Sequence, residues 1–301
     1  MNSPFIVNLY KPKDLTSYDI IRKVKPSFKS YGKIGHFGTL DPFASGVLML
    51  GVAGAQRLNE YIHECLPKTY LAVGVLGKET PTGDMTVAFS QEDSSLYLKD
   101  VISRFDINFI QETLAKKFTG EYWQAPHKYS AAKYEGKALH EWARAGIEIK
   151  KEKKRREIYN VEVVEYNFPI LKIRVTVSSG TYIRTLFSDM AQELGTIGCL
   201  QDLIREQVGG CNLDNAQSAD LAIGEMSFLK IDEVLAFRNI YFAEKEAKLY
   251  SNGVKLKKDR TYKMNEDGLN FNYYWVRDLN EKVLGMASII NGEISSQVNF
   301  S

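Results

Sequence analysis

The chain has 301 residues, of which 44% are hydrophobic and 25% are charged, and its 39 lysines and arginines exceed its 37 acidic residues by two. This balance excludes a chain that is disordered by composition, and the length predicts one large domain plus a small one. The net charge by itself does not indicate a nucleic-acid partner, so the distribution of the basic residues matters more than their number.

The three cysteines (Cys65, Cys199 and Cys211) do not have the spacing of zinc ligands. An odd number without a disulfide framework indicates a reducing compartment. The N-terminal segment lacks the features of a signal peptide, and no apolar run reaches the length of a membrane span. We therefore expect a cytoplasmic protein with no bound metal and no membrane partner.

The first third of the chain combines helical and turn signals. Thr16-Ser17 could cap a helix that runs toward Tyr31-Gly32, although Pro26 interrupts it. Residues 33–54 are rich in glycine and apolar residues, which predicts tight turns close to packed backbone. A helix is predicted from Ala55 to Leu66, where Pro67 ends it.

The middle of the chain alternates between the two kinds of periodicity. Strands are predicted at 70–76, 158–166 and 170–177, and helices at 106–118, 136–145 and 181–195. After about residue 231 the composition becomes β-rich. Asn291-Gly292 between two apolar runs is a strong signal for a tight hairpin. We therefore predict a larger domain over residues 1–234 and a small β-rich domain over 235–301.

The most informative segment is Gly35-His36-Phe37-Gly38-Thr39-Leu40-Asp41-Pro42-Phe43-Ala44-Ser45-Gly46. Asp-Pro in a glycine-rich loop has a restricted backbone, and its apolar neighbours predict burial. A buried carboxylate is costly without a partner. Residue chemistry alone nevertheless favours an Asp41 that only caps a turn.

This segment closely resembles a motif of the TruB family of pseudouridine synthases, G-H-x-G-[AT]-L-D-P-x-A-[ST]-G. Further matches occur in the family's order over roughly the first two-thirds of the chain. They are Lys11-Pro12, Leu15-Thr16-Ser17, Lys68-Thr69-Tyr70, Gln124-Ala125-Pro126, Tyr129-Ser130-Ala131, Lys133, Gly136, Ala143-Arg144, Gly146 and Ser179-Gly180-Thr181-Tyr182-Ile183-Arg184. The chain departs from the pattern at Asp14, where the family usually has Gly, at His127 in place of a second Pro, and at Ile204 within a Leu-Arg-Arg segment.

The resemblance implies an α+β fold: a catalytic domain built on a mixed, largely antiparallel sheet, with an active site in a central cleft. It also implies a helical RNA-gripping insertion at about 120–156. The small C-terminal β domain resembles a PUA-like RNA-binding barrel, although a purely structural β module is nearly as good an interpretation.

The resemblance further implies that the protein isomerises uridine to pseudouridine in the T-loop of tRNA, at position 55, after flipping the base out of its stack. The reaction gains no atom and changes no redox state, so we expect no cofactor. In the family the Asp is the nucleophile, which assigns that role to Asp41. Arg184 would pair with it, and Tyr70 would stack on the uracil or take the C5 proton.

His36, Tyr182 and Leu203 would contact the flipped base or line its pocket. Contacts to the RNA backbone are expected from the residues Lys11, Lys128, Tyr129, Lys133, Arg144 and Arg205. The basic run Lys150–Arg156 could also face RNA, although such runs are more often solvated surface. We expect the T-arm of tRNA as the partner, no required protein partner, and a monomer.

Two alternatives remain open at this point. The chain could act on another RNA, as guide-dependent relatives do, but those relatives lack the 129–146 insertion. It could instead be a tRNA-folding chaperone without chemistry. The joint presence of Asp41, Tyr70 and Arg184 argues against a purely binding role, but does not exclude chaperone activity alongside catalysis.

Overall fold

The computed structural model describes residues 3–130, 133–147, 149, 151–265 and 267–300, without the side chains of Lys133, His140, Arg144 and Asn270. The α-helices are α1 (Ser17–Val24), α2 (Asn59–Cys65), α3 (Leu96–Asp100), α4 (Ile107–Phe118), α5 (Leu139–Arg144), α6 (Ile183–Glu193), α7 (Ile231–Val234) and α8 (Glu244–Ser251). Short 3₁₀ helices span Lys29–Tyr31, Ala55–Leu58, Ile102–Arg104, Ile223–Glu225 and Lys258–Arg260.

The strands of the larger part of the chain are β1 (Phe5–Lys11), β2 (Ile34–His36), β3 (Ser45–Val52), β4 (Lys68–Leu76), β5 (Lys78–Glu79), β6 (Gln91–Glu92), β7 (Gly120–Gln124), β8 (Lys133–Tyr134), β9 (Lys137–Ala138), β10 (Lys154–Asn167), β11 (Ile170–Val177), β12 (Gly198–Val208), β13 (Cys211–Asn212), β14 (Gln217–Ser218) and β15 (Leu229–Lys230). Those of the C-terminal part are β16 (Phe237–Tyr241), β17 (Leu256–Lys257), β18 (Lys263–Asn265), β19 (Leu269–Arg277), β20 (Val283–Ile290) and β21 (Glu293–Asn299).

A large central sheet organises the first part of the chain, in the order β14-β1-β3-β12-β4-β11-β10-β7. The β3–β12 and β1–β14 pairs are parallel, and the other pairs along this path are antiparallel. The expected α+β architecture with a mixed, largely antiparallel sheet is therefore confirmed. Helix α6 lies against the middle of the sheet, where Phe187 packs so close to Gly74 that any Cβ there would collide with its ring.

The sequence prediction was incomplete between residues 33 and 54. Every residue of strand β3 is buried, so its sequence is a nearly continuous apolar run. It lacks the alternation of apolar and polar residues that is typical of a half-exposed strand. The glycines of this segment led to the prediction of turns instead. Gly46, with φ +113°, lies so near the carbonyl oxygen of Arg205 that a Cβ would approach it to 2.2 Å. A glycine is therefore required at this position because β3 and β12 lie so close together, and not because the chain turns there.

The helix predicted over 136–145 is also shorter than expected. Glu135 and Gly136 both have positive φ and form the turn of a β8–β9 hairpin, so helix α5 begins only at Leu139. The expected helical insertion thus combines a small hairpin with a short helix. The predictions at 106–118, 158–166 and 170–177 are confirmed by α4, β10 and β11.

The C-terminal part forms a second sheet in the order β17-β21-β20-β19-β16-β18. The hairpin predicted at Asn291-Gly292 joins β20 to β21, and both residues have the positive φ that a type I′ turn requires. Trp275 and Phe237 of this part share one apolar cluster with Ile62 and Val47 of the larger part. The exact boundary at 234/235 remains a prediction. None of the helices in the described ranges is both long and apolar enough to span a bilayer.

Candidate active site

Asp41 lies in the loop between β2 and β3, and hydrogen bonds from neighbouring segments hold this loop in place. The hydroxyl of Ser17 at the start of α1 accepts the backbone N–H of Leu40 at 2.9 Å. The backbone N–H of Asp14 donates to the carbonyl of Pro42 at 2.8 Å. Asp14 has φ +66°, so this Asp adopts the left-handed backbone that the glycine of the family pattern would take.

Lys11 supports the same loop from inside the protein. Its side chain is fully buried, and its ammonium group donates to the carbonyls of Pro12 at 2.9 Å, Leu15 at 2.7 Å and Pro42 at 3.3 Å. These acceptors use all three of its N–H groups. Burial lowers the pKa of Lys11 to about 8. The expected contact between Lys11 and RNA does not fit this placement, because Lys11 has neither exposed surface nor a free donor.

Arg184, in the first turn of α6, is the hub of the site. Its guanidinium contacts both carboxylate oxygens of Asp41: Nη2 donates to Oδ1 at 3.0 Å, and Nε lies 3.0 Å from Oδ2 in an ion-pair contact. Nη1 contacts Oδ2 of Asp84 at 3.1 Å and the carbonyl of Thr82 at 2.8 Å, and Nη2 also donates to the carbonyl of Tyr129 at 3.0 Å. Nη1 and Nη2 thus donate four hydrogen bonds, and Nε adds an ion-pair contact, so the buried guanidinium is surrounded by acceptors.

Asp84 is the site residue that sequence reasoning missed. Its side chain is only 5% exposed. Its Oδ1 accepts from the hydroxyls of Thr82 and Thr86 and from the backbone N–H of Thr86, while Oδ2 faces Arg184. The only local signal is an Asp between two threonines at spacing two, which also describes an ordinary turn. Its ion pair joins residues 100 positions apart, so the sequence offered no sign of it.

The carboxylate of Asp41 is the exposed member of this network, with 36% of its side chain accessible. Burial is the largest influence on its pKa and raises it, Arg184 opposes the rise, and the nearby Asp84 adds to it. The guanidinium of Arg184 contacts two carboxylates: that of Asp41, which reaches the cavity, and that of Asp84, which is buried. Such a forked, charge-assisted pair fixes the orientation of Asp41 while leaving part of it open to a ligand.

A cavity of about 220 Å³ opens in front of Asp41. Tyr70, Tyr182, Leu203 and Arg184 line it, so the structure brings these predicted residues together from β4, the start of α6 and β12. Tyr70 and Leu203 are largely buried. The cavity is smaller than the pockets that usually hold drug-sized ligands, and suits a single planar ring between aromatic and apolar walls.

Gln124 fixes Tyr182 at this wall. Its side-chain oxygen accepts the backbone N–H of Tyr182 at 2.7 Å, and its amide nitrogen donates to the carbonyl of Tyr182 at 3.0 Å. In the sequence, Gln124 is recognisable only as part of a motif, and no local pattern predicts that it joins the end of β7 to the start of α6.

The predicted RNA contacts fall into separate groups. Lys128 is exposed and its ammonium lies 5.8 Å from the ring centre of Tyr129; the next residue, Ser130, lines the cavity. The side chains of Lys133 and Arg144, and also residues Ala131 and Lys150, lie outside the described part of the chain. The end of the basic run, Lys154–Arg156, is the first part of β10 and pairs with β7 at the sheet edge.

Arg205, expected to contact the RNA backbone, is buried, and His36, expected to contact the flipped base, is not among the described residues that line the cavity. Arg205 is 1% exposed, and its guanidinium donates to the carbonyls of Val47 at 2.7 Å and Gly38 at 3.1 Å. It lines the cavity and is not a surface cation. His36 is half-buried, and its Nδ1 has no hydrogen-bond partner among the described residues. Burial, followed by Arg205 and Lys68, lowers the pKa of His36.

Comparison with known proteins places this geometry in a family. Residues 23–183 match the family model described as "TruB family pseudouridylate synthase (N terminal domain)". The tRNA pseudouridine synthase B of Clostridium kluyveri is 35% identical over 280 residues, which cover 88% of this chain and 93% of that protein. The protein of the same name from Clostridium acetobutylicum is 32% identical over 291 residues, with coverages of 94% and 95%.

Solved structures share the whole fold. A crystal structure of a Cbf5-Nop10-Gar1 complex contains a chain that superposes with a TM-score of 0.72 at 19% identity, covering 99% of this chain and 85% of that one. A structure of an H/ACA RNP bound to a substrate RNA containing 2′-deoxyuridine gives a TM-score of 0.70 at 18% identity, with coverages of 99% and 85%. At this level of identity, the likeness extends to the fold alone.

Proposed function

This chain belongs to the TruB family of pseudouridylate synthases, and we propose that it isomerises a uridine of tRNA to pseudouridine, at position 55 of the T-loop. The observation that carries the proposal is the partly exposed carboxylate of Asp41, gripped by the buried Arg184 inside a cavity walled by Tyr70, Tyr182 and Leu203. The names of the relatives, each a tRNA pseudouridine synthase B, support the choice of substrate.

Asp41 is the nucleophile in this proposal. Its ionised carboxylate attacks either C1′ of the ribose or C6 of the uracil, and the bond between N1 and C1′ breaks. The base turns within the cavity, C5 bonds to C1′, Asp41 is released, and the proton on C5 is lost while N1 gains one. Every atom of the uridine is kept, so the reaction needs neither an oxidant nor a group donor.

The surrounding residues serve the same reaction. Arg184 keeps the carboxylate oriented and favours its charged form against the effect of burial. The ring of Tyr70 stacks on the uracil, and its hydroxyl is the candidate base for the C5 proton. Tyr182 and Leu203 exclude water, which would otherwise hydrolyse the covalent intermediate.

A uridine within a folded loop reaches this cavity only after it is flipped out of its stack. Lys128 and Tyr129 directly precede Ser130 of the cavity lining, and from there they would contact the RNA backbone and a neighbouring base. We expect the protein to act as a monomer in the cytoplasm, on the T-arm, without a protein partner and without a cofactor. The C-terminal sheet would add a PUA-like RNA-binding surface.

The decisive experiment incubates the purified protein with unmodified tRNA transcript and maps pseudouridine by chemical probing. We expect modification of the T-loop uridine by the wild type. The Asp41→Asn variant, which keeps the shape of the side chain, should form no detectable product while retaining tRNA binding.

The other outcomes separate the alternatives. Modification of another RNA, or of another position, would keep the chemistry and overturn the substrate. Binding and folding of tRNA without any modification by the wild type would support a chaperone and overturn the enzyme. An Asp41→Asn variant that still forms pseudouridine would overturn the role of Asp41.

A further inference from the structure

Lys68 is a buried cation in the wall of the active-site cavity. It lies on β4 two residues before Tyr70, and both side chains are buried and line the cavity. Alternate residues of a strand point to the same face, with their Cα atoms about 7 Å apart. The ammonium of Lys68 therefore lies on the same side of the sheet as the Tyr70 ring, on which the uracil stacks in the proposed function.

The ammonium of Lys68 is fixed by its neighbours but keeps one donor to spare. It donates to the hydroxyl of Ser179 at 2.6 Å and lies 3.3 Å from Nδ1 of His63. The same hydroxyl lies 2.5 Å from Nδ1 of His63. Burial lowers the pKa of His63 to about 4, so this imidazole is neutral and can accept a hydrogen bond. These two contacts leave one of the three N–H groups of Lys68 without an acceptor among the described residues.

The groups around Lys68 do not compensate its charge. Arg205 from β12 is a second buried cation, and His36 from β2 and His63 from α2 are imidazoles. Within the described part of the chain, no carboxylate forms an ion pair with Lys68, whereas Arg184 contacts two. Burial lowers the pKa of Lys68 to about 7, and Arg205 adds to the effect. A buried positive charge of this kind is costly, and a negative charge that forms beside it relieves the cost.

The proposed reaction places a negative charge on the uracil. If Asp41 attacks C1′, the bond between N1 and C1′ breaks, and its electron pair stays on the ring, spread over N1, O2 and O4. If Asp41 attacks C6, the π electrons between C5 and C6 move toward O4. In both routes the ring carries one negative charge before C5 bonds to C1′. That charge forms inside the cavity, where a donor that is already oriented has its largest effect.

We propose that Lys68 is a further catalytic residue, whose third N–H donates a hydrogen bond to the uracil and stabilises the negative charge of the ring while the N1–C1′ bond breaks. The inference rests on the proposed function, because it needs a uracil stacked on Tyr70. Lys68 keeps its proton throughout, so the proton lost from C5 and the proton gained by N1 are exchanged elsewhere. Since the charge is absent from the bound uridine, Lys68 should contribute to the rate and little to the affinity for tRNA.

Lys68→Met tests this role, because it keeps the apolar length of the side chain and removes its charge. The single-turnover rate on tRNA, followed as loss of the target uridine, should fall by about 10²-fold, as when one oriented electrostatic donor is lost. The dissociation constant for tRNA, measured with Asp41→Asn also present to prevent turnover, should change by less than about threefold. Lys99→Met, which removes one lysine charge from an exposed position of α3, should change neither value. A loss confined to the dissociation constant would overturn the catalytic role.

A better leaving group should replace part of the contribution of Lys68. Fluorine at C5 draws electron density from the ring, so a transcript with 5-fluorouridine at the target position accepts the negative charge more easily. On this transcript Lys68→Met should lose only about tenfold relative to the wild type, measured as loss of the target nucleoside. Gln124→Leu is the control for a structural defect, because it disturbs the wall at Tyr182 without removing a charge, and any loss of rate should be the same on both transcripts. An equal loss on both transcripts in Lys68→Met would contradict the electrostatic role.

The pH profile gives an independent readout. Lys68 must be protonated to act, so kcat/KM of the wild type should fall as the pH rises through the pKa of Lys68, about 7. In Lys68→Arg the cation does not titrate in this range, so the basic limb should move to higher pH. This variant also decides the matter if Lys68→Met does not fold. A basic limb at the same pH as in the wild type would show that another group titrates there, and would refute the role of Lys68.

The outcomes separate this inference from the proposed function. Pseudouridine formation at equal rates by the wild type and Lys68→Met would remove the role of Lys68 and leave the enzyme. Absence of pseudouridine in every tRNA tested with the wild type would overturn the proposed function, and this inference with it.

Discussion

At the scale of single residues, the site depends on the shape of one guanidinium. Arg184 donates hydrogen bonds from Nη1 and Nη2 to Asp41, to Asp84 and to the carbonyls of Thr82 and Tyr129, and its Nε lies beside the second oxygen of Asp41. Only a planar guanidinium can contact both oxygens of one carboxylate and still hold three further acceptors on its other edges. The site therefore depends on the geometry of Arg184 as well as on its charge.

Replacing Arg184 with lysine should show this. Arg184→Lys keeps the charge but has three donors for five acceptor positions, so we expect kcat to fall by about 10²-fold or more, as when one oriented electrostatic contact is lost. Single-turnover rates on tRNA measure the effect. Arg174→Lys is the control, because Arg174 forms a forked pair with Glu206 on the protein surface. Equal losses in the two variants would contradict the geometric role of Arg184.

Asp84 should tune Asp41 through the same guanidinium. Its negative charge raises the pKa of Asp41 and competes with Asp41 for Arg184. Asp41 must be ionised to attack, so activity falls as the pH drops through its pKa. The substitution Asp84→Asn removes the negative charge and leaves Arg184 to interact more strongly with Asp41. Both changes lower the pKa of Asp41, so the acid limb of the profile of kcat/KM against pH should move to lower pH.

The plateau of that profile should also fall, because Arg184 loses an anchor. Removing one partner of a buried ion pair costs about 3–5 kcal/mol at most, so the melting temperature should drop as well. Asp93→Asn, another aspartate that accepts hydrogen bonds in a neighbouring loop, should leave the acid limb in place. An acid limb that stays fixed in Asp84→Asn would contradict the coupling.

At the scale of elements, the cavity wall depends on a join between β7 and α6. Gln124 is 3% exposed and satisfies both backbone groups of Tyr182, at the point where the chain enters α6. Helix α6 carries Arg184 two residues later, so the clamp positions the aromatic wall and the guanidinium together.

Gln124→Leu should loosen this join. It leaves the backbone N–H of Tyr182 without its partner, which costs about 1–3 kcal/mol, while the carbonyl of Tyr182 keeps only its bond from the N–H of Leu186. We expect a lower melting temperature and a higher KM for tRNA, since Tyr182 is no longer held against the base. Gln207→Leu, at an exposed position of β12, is a suitable control. An unchanged KM in Gln124→Leu would show that Tyr182 does not need the clamp.

The sequence predicted the elements whose signals are local. Helix α4, strands β10 and β11, and the Asn291-Gly292 hairpin all follow from periodicity and turn chemistry. Strand β3 was missed because both of its faces are buried, and its glycines serve a close approach that only the neighbouring strand explains. Asp41, Tyr70 and Arg184 were found by resemblance to a family. Asp84 and the burial of Lys11 depend on contacts that no local pattern records.

At the scale of the whole molecule, the two sheets share a core. Trp275 of β19 is fully buried, donates from its indole N–H to the carbonyl of Leu235 at 2.5 Å, and belongs to the apolar cluster that also contains Phe37 and Leu58. Phe37 directly precedes Gly38 of the active-site loop. The C-terminal sheet therefore supports the segment that carries Asp41, in addition to any contact it makes with RNA.

Shared packing predicts that the two sheets unfold together. Calorimetry of the full chain should give one transition, and Trp275→Ala should lower its midpoint as a whole, because removing a buried tryptophan costs about 3–5 kcal/mol. Tyr262→Ala removes a large aromatic from the same part of the chain at a position that is 69% exposed, and should leave the midpoint nearly unchanged. Two resolved transitions, with only one of them moved by Trp275→Ala, would show instead that the C-terminal sheet is an independent module. The support for the Asp41 loop would then have to come from the larger part of the chain alone.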